Sequence, residues 1–271
     1  MLWVLQTNLY RERGYDLLVE ALERLGSKWI VVKAVPYTLR LLPGDHDSPK
    51  AVNPDDVVEP EIDTSGSIVT MGSYTLAKIA LARGWSPGAF IENTSYDEWS
   101  AGWGHDRILN PHAWTGPLRD ARVTDLSFVR PLLDSKSFVG KVYDAEDFTA
   151  WQATVVGLGP QATVNGDTMA LVAAPRKIYS ETRFFVVDGR IVTGSQYKIG
   201  GRVVYDSDVD PGALDFARSC IADWVPSRAF VVDVALTPDG YCVIEVNCIN
   251  AAGFYACDMQ KLVAAFEEAF P

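Results

Sequence analysis

The chain has 271 residues, with 24 Lys and Arg against 35 Asp and Glu, a formal net charge of −11 and a pI near 4.7. At that length folding buries roughly 73% of the unfolded chain's surface, enough for a core without disulfide or metal staples, and 48% hydrophobic with 22% charged residues excludes a disordered or collagen-like chain. The acidic balance argues against a nucleic-acid coat or a binder of anionic membranes, both of which need a basic surface. It leaves room for a small anionic ligand held by a few buried cations. No apolar run reaches the roughly 18 residues of a membrane span, and the opening MLWVLQTNLYRERG lacks the basic start and long apolar stretch of a signal peptide. The four cysteines, Cys220, Cys242, Cys248 and Cys257, show no CxxC spacing and lie far from His46, His105 and His112. They read as buried thiols of a cytoplasmic protein, and zinc is not expected.

In chain order, Leu2 to Leu5 is a short apolar strand, and residues 12–25 carry Leu17, Leu18, Ala21, Leu22 and Leu25 at helical spacing, stopped by Gly26. Trp29 to Val35 is a β-branched strand. Residues 43–66 are loop-rich, Ser67 to Met71 is a strand, and Gly72-Ser73 opens an apolar helix through Ala82. The order βαβ–loop–βα predicts an open α/β domain over residues 1–115. Four tryptophans, Trp85, Trp99, Trp103 and Trp114, follow among Gly and Pro and read as packing between domains.

The rest, residues 116–271, is richer in strands. Leu126 to Pro131 and 140–142 are strands, 145–157 is an amphipathic helix, and Gly157, Gly159, Pro160 and Gly166 bracket a loop. Met169 to Ala174 is a further apolar strand. Thr182 to Val187 and Ile191 to Ser195 flank Asp188-Gly189, a strong hairpin signal. A helix at 211–223, strands Ala229–Leu236 and Tyr241–Asn247 around a Pro238-Asp239-Gly240 turn, and a helix at 257–269 complete an α+β domain.

The last hairpin carries the chemistry. Strict alternation in YCVIEVN puts Cys242, Ile244 and Val246 on one face and Val243, Glu245 and Asn247 on the other. Asp233 interrupts the apolar strand VVDVAL, and an acid there costs desolvation energy unless it is paired or metal-bound. Asp233, Glu245 and Asn247 form an oxygen-rich set suited to a hard cation such as magnesium; the plainer alternative is an Asp hydrogen-bonded to a turn with Glu245 in solvent. Arg130 and Lys136 lie in RPLLDSKSF, Arg183 follows Glu181 in ETRFFVV, and Tyr197-Lys198 ends the partner strand. A lone strand arginine is usually a surface residue, but several cations with a carboxylate–Asn cluster in one sheet fit a magnesium–polyphosphate site better.

The ordered set FVRPLLDSKSFVG, ETRFFVVDGRIVTGSQYK, FVVDVA and VIEVN, with MGSYTLAKIALARGWSPGAF before it, resembles the ATP-grasp superfamily, and within it the clade named for two arginines and one lysine. The resemblance covers about residues 65–260. It implies an α/β pre-ATP-grasp domain followed by an α+β ATP-grasp fold, with ATP held between two subdomains. By the same resemblance Asp233, Glu245 and Asn247 match the magnesium ligands, Arg130 and Lys136 the phosphate-facing cations, and Arg183 the arginine near the transferred phosphate. The strand LVAAPRKI (171–178) would form the adenine-binding hinge, the main chain of Ala174 to Ile178, Lys177 included, pairing with the base; Glu181 would hold the ribose or position Arg183, and Lys198 would face phosphate. Where related proteins carry a small-residue phosphate lid, GLGPQATVNGD (157–167) holds Gln161, Thr163 and Asn165.

The activity implied is an ATP- and magnesium-dependent carboxylate–amine ligase working through an acyl phosphate on small-molecule or peptide substrates. Such ligation needs no dedicated nucleophile, because activation by phosphate and positioning do most of the work. The alternatives are a phosphotransferase that stops at a stable phosphate and a nucleotide-binding protein without turnover. Residues 36–66 and 92–120 are the expected contributors to the acceptor pocket.

Overall fold

The computed structural model describes residues 1–7, 11–44, 57–133 and 137–271; Lys136 and most of the central part of the 43–66 loop lie outside them. The N-terminal elements follow the predicted order. Strand β1 (Leu2–Gln6) is followed by helix α1 (Gly14–Leu25), which buries Leu18, Ala21 and Leu22 on one face and closes at Gly26, in the left-handed region at φ 68°. Strand β2 (Lys28–Ala34) lies parallel to β1, β3 (Leu41–Pro43) pairs antiparallel with β2, and β4 (Ile68–Met71) lies parallel to β1 on its other side. Ser73 caps helix α2 (Tyr74–Ala82) by accepting from the Leu76 N–H. With β5 (Pro87–Gly88) the sheet runs β3-β2-β1-β4-β5.

Helix α3 (Tyr96–Trp103) opens on a Ser95/Glu98 capping box. A second sheet, ordered β6-β9-β7-β8, is built from β6 (Trp114–Pro117), β7 (Ser127–Pro131), β8 (Lys141–Tyr143) and β9 (Met169–Ala173). Helix α4 (Ala145–Val156) packs Phe148 and Val155 against Val129, Tyr143, Ala170 and Val172 of this sheet.

The third sheet is antiparallel and ordered β12-β11-β10-β13-β14. Strands β10 (Ser180–Val187) and β11 (Arg190–Ile199) join through Asp188 and Gly189, both at positive φ (45° and 69°), as the Asp-Gly pair predicts for a tight hairpin. Strand β12 (Arg202–Asp206) forms the edge, and β13 (Ala229–Thr237) and β14 (Gly240–Asn247) complete the sheet. Both faces are covered. Phe184 and Val186 of β10 enter a core under helix α5 (Pro211–Asp223), whereas Phe185 and Val187 enter one shared with α1, β1, β4 and helix α6 (Met259–Ala269). That double burial explains why FFVV is apolar on both faces of the strand.

Three sequence expectations change here. The strand expected at 169–174 is found at Met169–Ala173, but the longer hinge strand 171–178 stops there, because Pro175 offers no N–H to a ladder. The tryptophans expected between domains divide: Trp99 and Trp103, from residues 1–115, do pack beneath the third sheet, built from residues 116–271, whereas Trp85 sits in the core of the first sheet and Trp114 is 38% exposed. Trp103 Nε1 donates to the carbonyls of Cys220 and Trp224, fastening α3 to the end of α5. Strands β3, β5, β6 and β12, short and without a clear period, were not legible; helix α3 was missed although its Ser95-x-x-Glu98 start is a local signal. Among the described residues no helix is long and apolar enough to cross a membrane.

All four cysteines are buried and unpaired in disulfides. Burial pushes the Cys242 thiol up to about 11 and the Cys257 thiol up to about 12, so near pH 8 the reactive thiolate is scarce. The folded protein should therefore react negligibly with Ellman's reagent at pH 8 and release four equivalents after denaturation; rapid native reaction of Cys242 or Cys257 would contradict this burial.

Candidate functional site

The acid in VVDVAL sits at the crossing point of three strands. Asp233 of β13 is in register with Arg183 of β10 on one side and Glu245 of β14 on the other. Beyond that pair the β13–β14 ladder slips, since Asp233 opposes Glu245 but Val234 opposes Val243. Ile244 is the extra residue of a β-bulge, and it corrects the strict alternation expected for this strand. Val243 and Val246 both enter the core with Val232 and Val234, whereas Cys242 packs with Ala235 on the opposite face. Glu245 and Asn247 thereby lie on the Asp233 face, where the side-chain amide of Asn247 donates to Asp233 Oδ2 at 3.3 Å and to Glu245 Oε1 at 3.1 Å. The three predicted metal-ligating residues are brought together, by a bulge rather than by simple pleating.

Arg183 closes the cluster from below. Its Nε donates to Asp233 Oδ1 at 2.9 Å and its Nη2 to Oδ2 at 2.7 Å, a two-pronged ion pair. Asp233 is 0% exposed and Arg183 7% exposed. The remaining guanidinium nitrogen donates to the Gly253 carbonyl at 3.2 Å, and the Tyr197 and Tyr255 rings lie 5.4 and 5.2 Å from the guanidinium carbon. The two rings stack on each other with centroids 4.8 Å apart. Burial acts to lower the Arg183 pKa, but the attraction of Asp233 outweighs it and holds the guanidinium firmly protonated. The same burial raises Asp233 to about 6, with Arg183 opposing the rise.

Arg130 approaches from the second sheet. It stands on β7, and its Nη1 donates to Glu245 Oε2 at 3.3 Å, so the second and third sheets meet at the acidic cluster. Glu181 lies two residues before Arg183 and is buried. It accepts from Tyr197 Oη at 2.6 Å and Lys198 Nζ at 2.6 Å, which engages both its oxygens. The Tyr197 hydroxyl is raised well above its ordinary value, by burial first and then by Asp233 and Glu181. Glu181 and Lys198 thus hold each other and reach the cluster through the Tyr197 ring.

Ala174 to Ile178 connect β9 to β10. Residues 174–177 are exposed, the Lys177 ammonium lies 5.1 Å from the Tyr179 ring, and Ile178 packs with Ala235, Cys242 and Ile244 beside the cluster. In the loop 157–167, Asn165 accepts from the Asp167 N–H, and Arg119 pairs with Asp167. Sequence reasoning missed the Gly253 carbonyl, Tyr255 and the Arg130–Glu245 bridge. Tyr255 lies in a segment without periodicity at φ 50°, and the bridge spans 115 residues of chain, so no local signal could have found either.

The donor set fits a hard divalent cation. Magnesium takes one or two carboxylates from a protein and completes its shell with water and substrate phosphates, and an amide oxygen is a further hard donor. Among the described residues no group of three or more His, Cys, Asp and Glu could hold a metal, so Asn247, whose amide nitrogen now faces both acids, would have to turn its oxygen toward them to supply a third ligand.

The two sheets meeting at this cluster, with α4 backing one and α5 and α6 covering the other, define an ATP-grasp fold. The whole chain superposes on three ATP-grasp structures or ligases. The RimK domain ATP-grasp protein from Sphaerobacter thermophilus DSM 20745 matches with a TM-score of 0.59 and 14% identity over 96% of this chain and 98% of that one. The ATP-grasp ligase PsnB, complexed with a minimal precursor, matches with a TM-score of 0.56 and 12% identity over 99% and 98%. The D-alanine–D-alanine ligase of Bacillus anthracis gives a TM-score of 0.56 and 12% identity over 99% and 96%. Residues 44–266 match the model of the ATP-grasp domain, family 3 of the clade named for two arginines and one lysine, and the chain belongs to that family. No curated protein matches it in sequence.

Proposed function

We propose that this protein is an ATP- and magnesium-dependent ligase that activates a carboxylate as an acyl phosphate and joins it to an amine. The observation that carries the reading is the convergence of Asp233, Glu245 and Asn247 with Arg130 and Arg183 where two sheets meet. Acids alone would hold a metal, and cations alone would hold phosphate; both together suit a metal–polyphosphate and the charge that grows during phosphoryl transfer. Two structural neighbours are ligases, which agrees with this choice.

In this reading residues 1–115 form a pre-ATP-grasp domain and 116–271 the ATP-grasp domain, with α3 reaching beneath β14. Asp233, Glu245 and Asn247 would hold magnesium, which when bound neutralises phosphate charge. Arg130 and Lys136 would face the phosphates. Main-chain groups of Ala174 to Ile178 would pair with adenine, with the ring on the apolar surface of Ile178, Ala235 and Ile244. Because both Glu181 oxygens are engaged, its assigned role is to position Arg183 through Tyr197, with Lys198 neutralising it. The acceptor carboxylate and amine would enter along residues 36–66 and 92–120.

ATP or ADP with magnesium should raise the unfolding midpoint, since a ligand bound only by the native state stabilises it by about 2.7 kcal/mol at 100 times its dissociation constant. Differential scanning calorimetry with each nucleotide checks this, and no shift with any of them would remove the nucleotide site. The chemistry is then tested by ADP release against panels of amino acids and small carboxylates, with mass spectrometry of products. An amide formed only with both substrates supports the ligase. A stable phosphorylated product would turn the assignment to a phosphotransferase, and binding without any ADP release to a non-catalytic protein.

A further inference from the structure

We propose that Arg130 and Arg183 are resident counter-ions of the acidic cluster, which close it to free divalent cations and admit a metal only together with a nucleotide polyphosphate. The inference rests on the ligase reading above. Its basis is the set of donors around the acids. Asp233 Oδ1 accepts from Arg183 Nε at 2.9 Å, and Oδ2 from Arg183 Nη2 at 2.7 Å and Asn247 Nδ2 at 3.3 Å. Glu245 Oε1 accepts from Asn247 at 3.1 Å and Oε2 from Arg130 Nη1 at 3.3 Å. Every carboxylate oxygen of Asp233 and Glu245 therefore has a donor, and each carboxylate has a guanidinium against it.

A bare divalent cation entering that set meets two positive neighbours, for which it brings no negative partner, and must also displace their hydrogen bonds. Burial magnifies the repulsion, because charges near the protein interior are poorly screened. A metal–polyphosphate complex carries net negative charge, so it brings its own partners for the arginines. The two arginines differ in freedom. Arg183 is held by Asp233, the Gly253 carbonyl and two aromatic rings. Arg130 makes a longer contact to Glu245, itself 32% exposed. Arg130 is thus the group that exchanges: it leaves Glu245 for a phosphate oxygen and frees a carboxylate oxygen for the metal. No covalent bond changes in this step.

The test titrates manganese alone, and manganese with ADP, into the full chain and follows water-proton relaxation enhancement, which reports protein-bound manganese without requiring turnover. The wild-type protein should bind manganese with ADP at least about tenfold more tightly than manganese alone. Arg130→Gln should tighten binding of manganese alone by about tenfold or more, since a unit charge a few ångströms from a divalent ion is only partly screened. Arg130→Lys, which keeps the charge, should stay close to wild type. Equal affinity of the wild type for manganese with and without ADP, or an Arg130→Gln protein with native circular dichroism and unchanged affinity for manganese alone, would overturn the counter-ion role while leaving the ligase reading in place. Absence of any manganese–ADP complex on the protein would overturn both.

Discussion

Asp233→Ala should lower the unfolding free energy by about 3–5 kcal/mol, a large part of the stability of an ordinary domain. The carboxylate makes both prongs of the pair with Arg183. Removing it leaves a guanidinium that is 7% exposed with no counter-charge and two unfilled donors. The Gly253 carbonyl and the tyrosine rings cannot substitute, since neither carries a full negative charge. Cost of this kind arises from the stranded partner rather than from the intrinsic worth of the pair, so the double variant Arg183→Met/Asp233→Leu should recover most of the loss. Urea denaturation of both variants measures the two values. A loss below about 1 kcal/mol for Asp233→Ala would mean that Arg183 finds water or another acid, and the buried ion pair would cease to explain how β10 and β13 tolerate charge. A double variant as unstable as the single one would place the cost in packing instead.

That buried pair also marks how far the sequence alone could reach. Elements announced by period or punctuation were legible: the leucine spacing ended by Gly26, the Ser73 cap, and the Asp188-Gly189 hairpin all stand where local chemistry puts them. So was the identity of the cluster, because an acid in VVDVAL and a Glu-x-Asn strand end are conspicuous among apolar neighbours. Its geometry was not. Strict alternation places Cys242 and Glu245 on opposite faces, and only the slip at Ile244 unites them. Such a bulge is settled by which side chains two cores can accept, a tertiary property that leaves no mark on five residues of sequence. Nor could the sequence tell that Arg183 spends its paired donors on Asp233. A forked donor suits a phosphate and a carboxylate equally, and the choice depends on the registry of β10 against β13, which spacing alone does not fix. The same limit explains why Glu181, read as holding the ribose or positioning Arg183, and Lys198, read as facing phosphate, are found holding each other.

Glu245→Gln should lower turnover about 10²-fold or more while changing stability by no more than about 1 kcal/mol, and the contrast with Asp233→Ala separates function from folding. Glutamine has nearly the same shape, and its carbonyl oxygen can still accept from the Asn247 amide, the contact now made at 3.1 Å. The side chain is 32% exposed, so the new amide nitrogen is not sealed away from water, and the Arg130 contact at 3.3 Å is too open to anchor the fold. What the substitution removes is formal charge at the place where the proposed metal and polyphosphate meet. A neutral amide oxygen binds a hard cation less strongly than a carboxylate, and charge stabilisation that grows in the transition state is felt in turnover more than in ground-state affinity. Raising magnesium should recover part of the loss in Glu245→Gln, because weaker coordination is offset by mass action. Steady-state ADP release at low and high magnesium, with urea unfolding of the same preparation, checks both halves. Normal turnover at limiting magnesium would withdraw Glu245 as a ligand, whereas loss of activity accompanied by unfolding would show that its role is to brace Arg130 and Asn247 across the junction of the two sheets.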